Sequence, residues 1–171
     1  PTAQDLLSRM GAGTEQVRQG SSGWLFFKRD IDHVTGLDFL GPRQLARRAA
    51  TGDTLTVPPE PDPRPAILSF AEELERRDIA LIVMPTPVKP SVQAEYLATG
   101  LDPGMPVFNS SREALLRELR NAGVLVFDPW PVMQKLRRAG MTQLYLKTDT
   151  HWRPETVAVV AHELGAFIGE H

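Results

Sequence analysis

The chain has 171 residues, the length of one domain. Its 42% apolar and 23% charged residues are ordinary for a globular protein, and a formal net charge of −2 gives no electrostatic footprint for nucleic acid. The lack of cysteine excludes disulfides, zinc–thiolate sites and thiol catalysis, and no apolar run approaches the roughly 20 residues that span a bilayer.

The first part of the chain predicts a strand, a helix and a linker. The sequence GSSG at residues 20–23 is typical of a turn, and the apolar run Trp24–Phe27 that follows predicts a strand. A short helix is predicted over residues 42–50. The prolines at residues 57–65 predict a stiff extended linker, which closes an N-terminal part made of residues 1–64.

From residue 65 onwards, helical and extended patterns alternate. Apolar periodicity predicts helices over residues 65–77, 111–120, 131–139 and 154–168, and short apolar runs predict strands over residues 80–84, 124–127 and 144–146. This alternation predicts an α/β domain with a mainly parallel sheet flanked by helices. We expect residues 1–171 to form a single domain whose βα core is residues 65–171, with strand 80–84 covered on both faces because it is wholly apolar.

Polar clusters follow three of the predicted strands. They are Pro85–Lys89, Asp128 with its neighbours, and Lys147–Trp152. Functional sites in parallel sheets collect at the carboxyl ends of the strands. We therefore expect these clusters to share one edge of the sheet.

The third cluster contains a carboxylate and an imidazole two residues apart, Asp149 and His151. In an extended segment such residues point to the same side, roughly 7 Å apart at the backbone. The carboxylate could then accept the imidazole Nδ1–H and leave Nε2 free to take a proton. The spacing leaves a plainer alternative open, in which Asp149 caps a helix or turn and His151 is an ordinary surface histidine.

Four segments resemble, in order, those of a known family. They are Gly23–Phe26 (GWLF), Val83–Val92 with the following Glu95–Leu97, Phe127–Pro129, and Thr148–Trp152 (TDTHW). This set resembles the alginate O-acetyltransferase family, that is, the AlgJ/AlgX-type SGNH hydrolase-like domain. The resemblance extends from residue 23 to about residue 168, and TDTHW between a strand and a helix is its most specific part.

The resemblance implies an SGNH-hydrolase-like fold in which the catalytic acid and base precede the serine. Asp149 and His151 match the family's acid and base. The family's serine follows on a later strand, in a Gly-Asp-Ser-type turn, and nothing after His151 resembles such a turn. Ser110 and Ser111 are better interpreted as helix N-caps. We therefore expect the serine beyond this chain, and a catalytic domain that is incomplete at the C-terminus.

The function implied by the resemblance is that of an O-acetyltransferase, or acetylesterase, acting on an exported polysaccharide through a Ser-His-Asp mechanism. It implies no cofactor, a periplasmic location with an inner-membrane anchor in a segment outside this chain, and a membrane-bound acetyl-donor protein as partner. Lys89, Trp152 and Tyr96 are candidate substrate-binding residues. Lys89 could meet an acidic sugar or an acyl carbonyl, or be a solvated loop lysine; the two aromatic residues could form a sugar platform or pack in the core.

Two other functions compete with this one. A noncatalytic carbohydrate-binding or scaffold domain of a polysaccharide export or modification complex would keep the fold without the chemistry. A metal-dependent hydrolase would use Asp149 and His151 as ligands, but the sequence has no further cluster of histidines and carboxylates to complete the site. His33 with Asp30 and Asp32 lacks a ligand pattern, so we expect no metal.

Overall fold

The computed structural model describes residues 16–50 and 60–171. These residues form two compact units. The first unit contains the described residues up to Thr35, with Thr86–Phe108 and Asp128–His171. The second contains the described part of Gly36–Pro85, with Asn109–Phe127. All five candidate site residues belong to the first unit. The chain passes from one unit to the other at four places, and none of them is residue 64, where the N-terminal part was expected to end.

The secondary structure in chain order is β1 (Val17–Gln19), β2 (Leu25–Phe27), α1 (Lys28–Thr35), α2 (Pro42–Ala50), α3 (Pro63–Glu75), β3 (Ile82–Val83), α4 (Lys89–Val92), α5 (Ala94–Leu97), α6 (Arg112–Asn121), β4 (Leu125–Val126), α7 (Trp130–Arg138) and α8 (Pro154–Gly169). The predicted helices are confirmed to within about two residues at each end, which is the usual uncertainty of a helix boundary.

The first unit begins with an antiparallel hairpin of β1 and β2, with Gln19 opposite Leu25. The turn between them is the one that the GSSG sequence predicts, and the N–H of Gly20 donates to the Trp24 carbonyl at 2.8 Å. A Cβ at Gly20 would lie 2.1 Å from the Tyr96 carbonyl oxygen, and Gly23 adopts a φ of +75°. Glycine is therefore required at both positions of this turn.

Two long helices of the first unit, α7 and α8, pack against each other. Pro154 begins α8, where its missing N–H and fixed φ suit the first turn, and Glu155 adds a negative charge near the helix N-terminus. Thr156 and Val160 are its buried residues.

The predicted strand at residues 144–146 is wrong. These residues belong to neither of the two described sheets, and Tyr145 forms only an isolated antiparallel bridge with Trp152.

The second unit corrects the prediction of a proline linker. Pro63 and Pro65 lie in the first turn of α3, where proline is tolerated because the N–H would have no helical partner. Asp62 is the N-cap, and its carboxylate accepts the backbone N–H of Arg64 at 3.0 Å. Residues 57–59 of the predicted linker lie outside the described residues.

Strands β3 and β4 pair in parallel, with Ile82 opposite Leu125 and Val83 opposite Val126. The pair is shorter than the predicted strands 80–84 and 124–127, and residues 81–84 are half-buried rather than covered on both faces. Within the described residues the sheets are this parallel pair and the antiparallel β1–β2 pair, so a larger, mainly parallel sheet stays a prediction.

The core of the second unit lies between α6 and the end of β4. Its buried members are Leu116, Leu119, Val124 and Val126. Side chains from α3, from β3 and from the residue before β3 pack against this cluster: Ile67, Leu68, Ala71, Leu81 and Val83. Burial of an aliphatic side chain contributes about 1.5–3 kcal/mol, so this cluster is the main apolar stabilisation of the unit.

Leu119→Ala should lower the free energy of unfolding by about 2–5 kcal/mol, because the Leu119 side chain is only 1% exposed and its loss leaves a cavity. Leu37→Ala is the matched control, since Leu37 is 64% exposed and its loss should change stability by less than about 0.5 kcal/mol. Urea denaturation measures both values. Equal effects of the two substitutions would contradict this core.

Candidate active site

The segment Leu144–Arg153 forms a closed loop in the first unit. The Leu146 N–H donates to the His151 carbonyl, and the Arg153 N–H donates to the Leu144 carbonyl, both at 2.9 Å. Lys147 and Thr148 form a turn at the tip of the loop, and residues 149–151 bend back. The expectation that Asp149 and His151 lie in an extended segment is therefore wrong, and a tight loop brings the two residues together instead.

The carboxylate of Asp149 makes two contacts with His151. Its Oδ1 accepts the backbone N–H of His151 at 2.9 Å and lies 2.5 Å from the ring Nδ1. A carboxylate facing Nδ1 fixes the proton on that nitrogen, which leaves Nε2 as the basic atom of a neutral ring. The predicted contact between the two side chains is thus confirmed, and the turn that makes it possible is an aspartate turn of the i to i+2 type.

The two side chains are open to solvent: 50% of the Asp149 side chain and 81% of the His151 side chain are exposed. Within the described residues, His151 Nε2 makes no hydrogen bond, so it can receive an incoming group. The hydrogen bond from the His151 ring, helped by that from the His151 backbone, lowers the pKa of the Asp149 carboxyl. Asp149 does not cap α8, whose N-cap position is Arg153.

Lys89 lies beneath this loop. Its side chain is 1% exposed, and its Nζ donates to the carbonyls of Leu25 at 2.6 Å, Lys147 at 2.9 Å and Asp149 at 3.1 Å. The ammonium also lies 4.8 Å from the ring centroid of Trp24 and 5.1 Å from that of Phe26. Three carbonyl oxygens and two ring faces therefore surround the charge, which uses every N–H of the ammonium.

This position corrects the expectation of a solvated loop lysine. Lys89 begins the short helix α4, of which every residue is buried. A substrate contact of its Nζ stays a prediction, and this geometry gives it no support because all three donors are occupied. Burial lowers the pKa of Lys89 to about 8, while the negative charges of Asp149 and Asp30 act in the opposite direction. The side chain is accordingly an ammonium at neutral pH.

A second set of buried polar contacts holds the base of the loop. Gln93 is fully buried; its Oε1 accepts the Leu144 N–H at 2.7 Å, and its Nε2 donates to the Thr142 carbonyl at 3.1 Å. Thr156 Oγ1 donates to the Leu144 carbonyl at 3.0 Å. The Tyr145 hydroxyl donates to the Pro87 carbonyl. The loop therefore stands on a hydrogen-bonded base at residues 144–145.

The sequence did not identify Lys89 or Gln93 as supports of the site. The available signal was a set of polar residues in an otherwise apolar stretch, Val88–Ala94. This stretch contains the short helix α4 and the first residue of α5, where the pattern predicted a loop. Such residues are buried only when their hydrogen bonds are satisfied. Long-range backbone acceptors such as the Lys147 carbonyl cannot be identified from composition or periodicity.

The two aromatic candidates take part in packing. Trp152 is half-buried and meets Tyr145 edge-to-face, with 6.4 Å between ring centroids. Tyr96 stacks on Trp24 at 4.2 Å with an interplanar angle of 11°. Both side chains keep some exposure, and their predicted role in binding a sugar stays a prediction.

The first unit holds three described serines: Ser21, Ser22 and Ser91. Ser21 Oγ donates to the Tyr96 carbonyl, and Ser91 is buried at 2% exposure. None of the three hydrogen bonds to His151. In the second unit Ser111 occupies the N-cap position of α6, but its Oγ accepts the Leu40 N–H instead of capping the helix. Over residues 16–50 and 60–171, no three His, Asp or Glu side chains are grouped as metal ligands.

His151→Ala should raise the pKa of the Asp149 carboxyl toward its ordinary value of 3.8, because the largest cause of its lowering is removed. Because the Asp149 pKa is lower in the folded protein than in the unfolded chain, the ionised carboxylate stabilises the fold at pH values above the unfolded pKa. This stabilisation is lost as the pH falls through the folded pKa. A carboxyl ¹³C NMR titration measures the shift. His162→Ala, on the exposed part of α8, is the control; an unchanged Asp149 pKa in His151→Ala would contradict the contact.

Lys89 should titrate near pH 8, well below the ordinary lysine pKa of 10.5, when followed by the NMR shift of its ε-carbon. Between these two values the unfolded chain binds a proton that the folded protein has released, so this group makes the free energy of unfolding rise with pH. The difference between wild type and Lys89→Met isolates that slope. A Lys89 midpoint at or above the ordinary value would contradict the burial described here.

Three comparisons with known proteins agree with this fold. The sequence profile of the family described as "SGNH hydrolase-like domain, acetyltransferase AlgX" matches residues 17–171. A relative, "Probable alginate O-acetylase AlgJ" of Pseudomonas aeruginosa, is 32% identical over 159 residues, which make up 92% of this chain and 34% of the relative. The chain thus spans about a third of the length of that curated relative.

A solved structure shares the fold. The "O-Acetyltransferase Domain of Pseudomonas putida AlgJ" superimposes with a TM-score of 0.59 at 22% identity, covering 90% of this chain and 47% of that one. Together with the profile match over nearly all described residues, this similarity fixes the fold as SGNH hydrolase-like. The chain belongs to the family of SGNH hydrolase-like domains represented by acetyltransferase AlgX.

Proposed function

We propose that this chain supplies the acid–base pair of an O-acetyltransferase that acts on an exported polysaccharide. The observation that carries the proposal is the 2.5 Å contact between Asp149 Oδ1 and His151 Nδ1, in a histidine side chain that is otherwise exposed to solvent. A base that is oriented by a carboxylate and open at its other nitrogen is what activation of a hydroxyl nucleophile requires. The AlgJ relatives are described as an alginate O-acetylase and an O-acetyltransferase domain, so acetyl transfer to alginate is the reaction to test.

The proposed reaction passes through an acetyl ester of serine. His151 Nε2 removes the proton of the serine hydroxyl as its oxygen attacks the acetyl carbonyl of the donor; the imidazolium then returns the proton to the leaving group. In the second half, the same nitrogen deprotonates a sugar hydroxyl as its oxygen attacks the ester; the imidazolium then returns the proton to the departing serine oxygen, which restores the free serine and the neutral imidazole. Asp149 keeps the proton on Nδ1 and stabilises the imidazolium formed in each half.

The serine and the acyl donor are further parts of this proposal. The described serines of the first unit make no hydrogen bond with His151, and no Gly-Asp-Ser-type turn follows His151 in the sequence, so we assign the nucleophile to a segment outside residues 1–171. A membrane-bound protein that delivers acetyl groups, and a location in the periplasm, follow from the same proposal. Within the described residues, the structure contains no helix long and apolar enough to cross a membrane.

The full-length protein should release acetate from 4-nitrophenyl acetate and transfer acetyl groups to an alginate oligosaccharide. His151→Ala and Asp149→Ala should each lower turnover by about 10³-fold or more, because base, orienting acid and nucleophile act as a unit. Oligosaccharide affinity, measured by calorimetry, should change far less, since neither residue carries most of the sugar contacts.

Two controls complete this experiment. His162→Ala removes an exposed histidine of α8 and should leave turnover unchanged, and the 171-residue chain alone should be inactive. Wild-type turnover in His151→Ala would contradict the proposal. An inactive full-length protein that still binds the oligosaccharide would favour the noncatalytic carbohydrate-binding domain, and strong activity of the 171-residue chain would place the nucleophile within it.

A further inference from the structure

Lys89 joins segments that are far apart in the sequence. Its Nζ contacts the carbonyl of Leu25 in β2, 64 residues away, and the carbonyls of Lys147 and Asp149, 58 and 60 residues away. The N–H of Leu25 also donates to the Lys147 carbonyl at 2.9 Å, so that one oxygen accepts two hydrogen bonds. The tip of the loop is therefore tied to β2 at Lys147 both directly, through the Leu25 N–H, and through the Lys89 ammonium, whereas the Asp149 carbonyl is tied through the ammonium.

The loop tip has little other support. The side chains of Asp149 and His151 are half or more exposed, so packing cannot fix their orientation. The hydrogen bond from the Leu146 N–H to the His151 carbonyl closes the loop. The Leu25 N–H holds the main chain at Lys147, and the Lys89 ammonium holds it at both Lys147 and Asp149. The backbone carbonyl and the catalytic carboxylate belong to the same residue, Asp149. A shift of that peptide therefore moves the carboxylate.

Lys89 is itself held rigidly. The rings of Trp24 and Phe26 lie against its ammonium, and Trp24 is stacked in turn on Tyr96. Neighbouring residues of α4, Pro90, Ser91 and Val92, are buried. A positioning group is effective only when its own conformation is fixed by its surroundings, and these contacts supply that condition.

We propose that Lys89 is a positioning residue for the Asp149–His151 pair, and that its ammonium fixes the main chain of the loop tip in the geometry that aligns the carboxylate with the imidazole. The inference rests on the proposed function, because it assigns to Lys89 a part in the same reaction. It assigns no contact with substrate, since all three N–H groups donate to backbone carbonyls.

The test compares variants of the full-length protein in acetate release. Lys89→Met keeps an unbranched side chain that is one atom shorter and can still pack near the aromatic rings, but it removes the three donors. Its kcat should fall by about 10–100-fold, the effect of a displacement of about 1 Å, with KM changed by less than about 3-fold. Lys135→Met removes an exposed lysine of α7 and is the matched control, with unchanged kcat.

A double substitution separates positioning from general damage to the fold. In the Asp149→Ala background no carboxylate remains to be aligned, so Lys89→Met should lower kcat by less than about 3-fold further. Three results would overturn the positioning role. The first is a double variant whose kcat falls by the product of the two single reductions; the others are a folded Lys89→Met with wild-type kcat and a Lys89→Met in which KM alone changes. Wild-type turnover in His151→Ala would instead refute the proposed function, and the two failures are thereby distinguished.

A second measurement uses the unsubstituted protein, in case Lys89→Met does not fold. The charged groups that act on Lys89 are Asp149 and Asp30, and His33 acts in turn on Asp30. When Lys89 loses its proton near pH 8, one of the three carbonyls loses its donor. The Cε1–H resonance of His151 should then show a step at the same pH as the Lys89 ε-carbon. A Lys89 titration without a step at His151 would overturn the inference.

Discussion

The site depends on the hydrogen bonds that surround one buried ammonium, that of Lys89. Taking a lysine charge out of water costs several kcal/mol, and charge-assisted hydrogen bonds contribute about 1.5–3 kcal/mol each. Three carbonyl acceptors and two ring faces therefore offset much of the burial but not all of it, in keeping with a Lys89 pKa lowered to about 8. A complete set of partners makes the charge tolerable, but an incomplete set would leave it strongly unfavourable. The interaction thus selects one arrangement of Leu25, Lys147 and Asp149 more than it stabilises the fold.

This arrangement gives a physical reason for three of the four segments that make the sequence resemble its family. The GWLF segment contributes a left-handed glycine, the two rings around the ammonium and the Leu25 carbonyl. The segment around Lys89 contributes the ammonium. The loop that contains TDTHW contributes an acceptor at Asp149, next to the Lys147 carbonyl, and then the contact between the Asp149 and His151 side chains. Three motifs that are separate in sequence meet at one charge, and only the last of them presents groups suited to chemistry at the surface.

The sequence was sufficient for what local rules determine. Apolar periodicity located α6, α7 and α8, and the spacing of Asp149 and His151 predicted a carboxylate in contact with the imidazole. It failed where tertiary contacts override local pattern: an expected strand before Asp149 is a tight loop, because Leu144 bonds to Gln93 and Arg153 instead of a neighbouring strand. Prolines 63 and 65 were assigned to a linker because proline suits both an extended segment and a first helical turn, and the Asp62 cap decides between them. Lys89 was expected in solvent because its acceptors are backbone carbonyls, which no sequence pattern displays.

The Lys89 ammonium donates at once to the carbonyls of Leu25, Lys147 and Asp149. Scalar couplings across hydrogen bonds, measured by NMR between the ¹⁵Nζ of Lys89 and carbonyl ¹³C nuclei below the pKa of about 8, test it directly. We expect correlations to all three carbonyls and slow exchange of the ammonium protons with water, because the side chain is only 1% exposed. An ammonium that exchanges as fast as a surface lysine, with no coupling to Lys147 or Asp149, would contradict this account of the site.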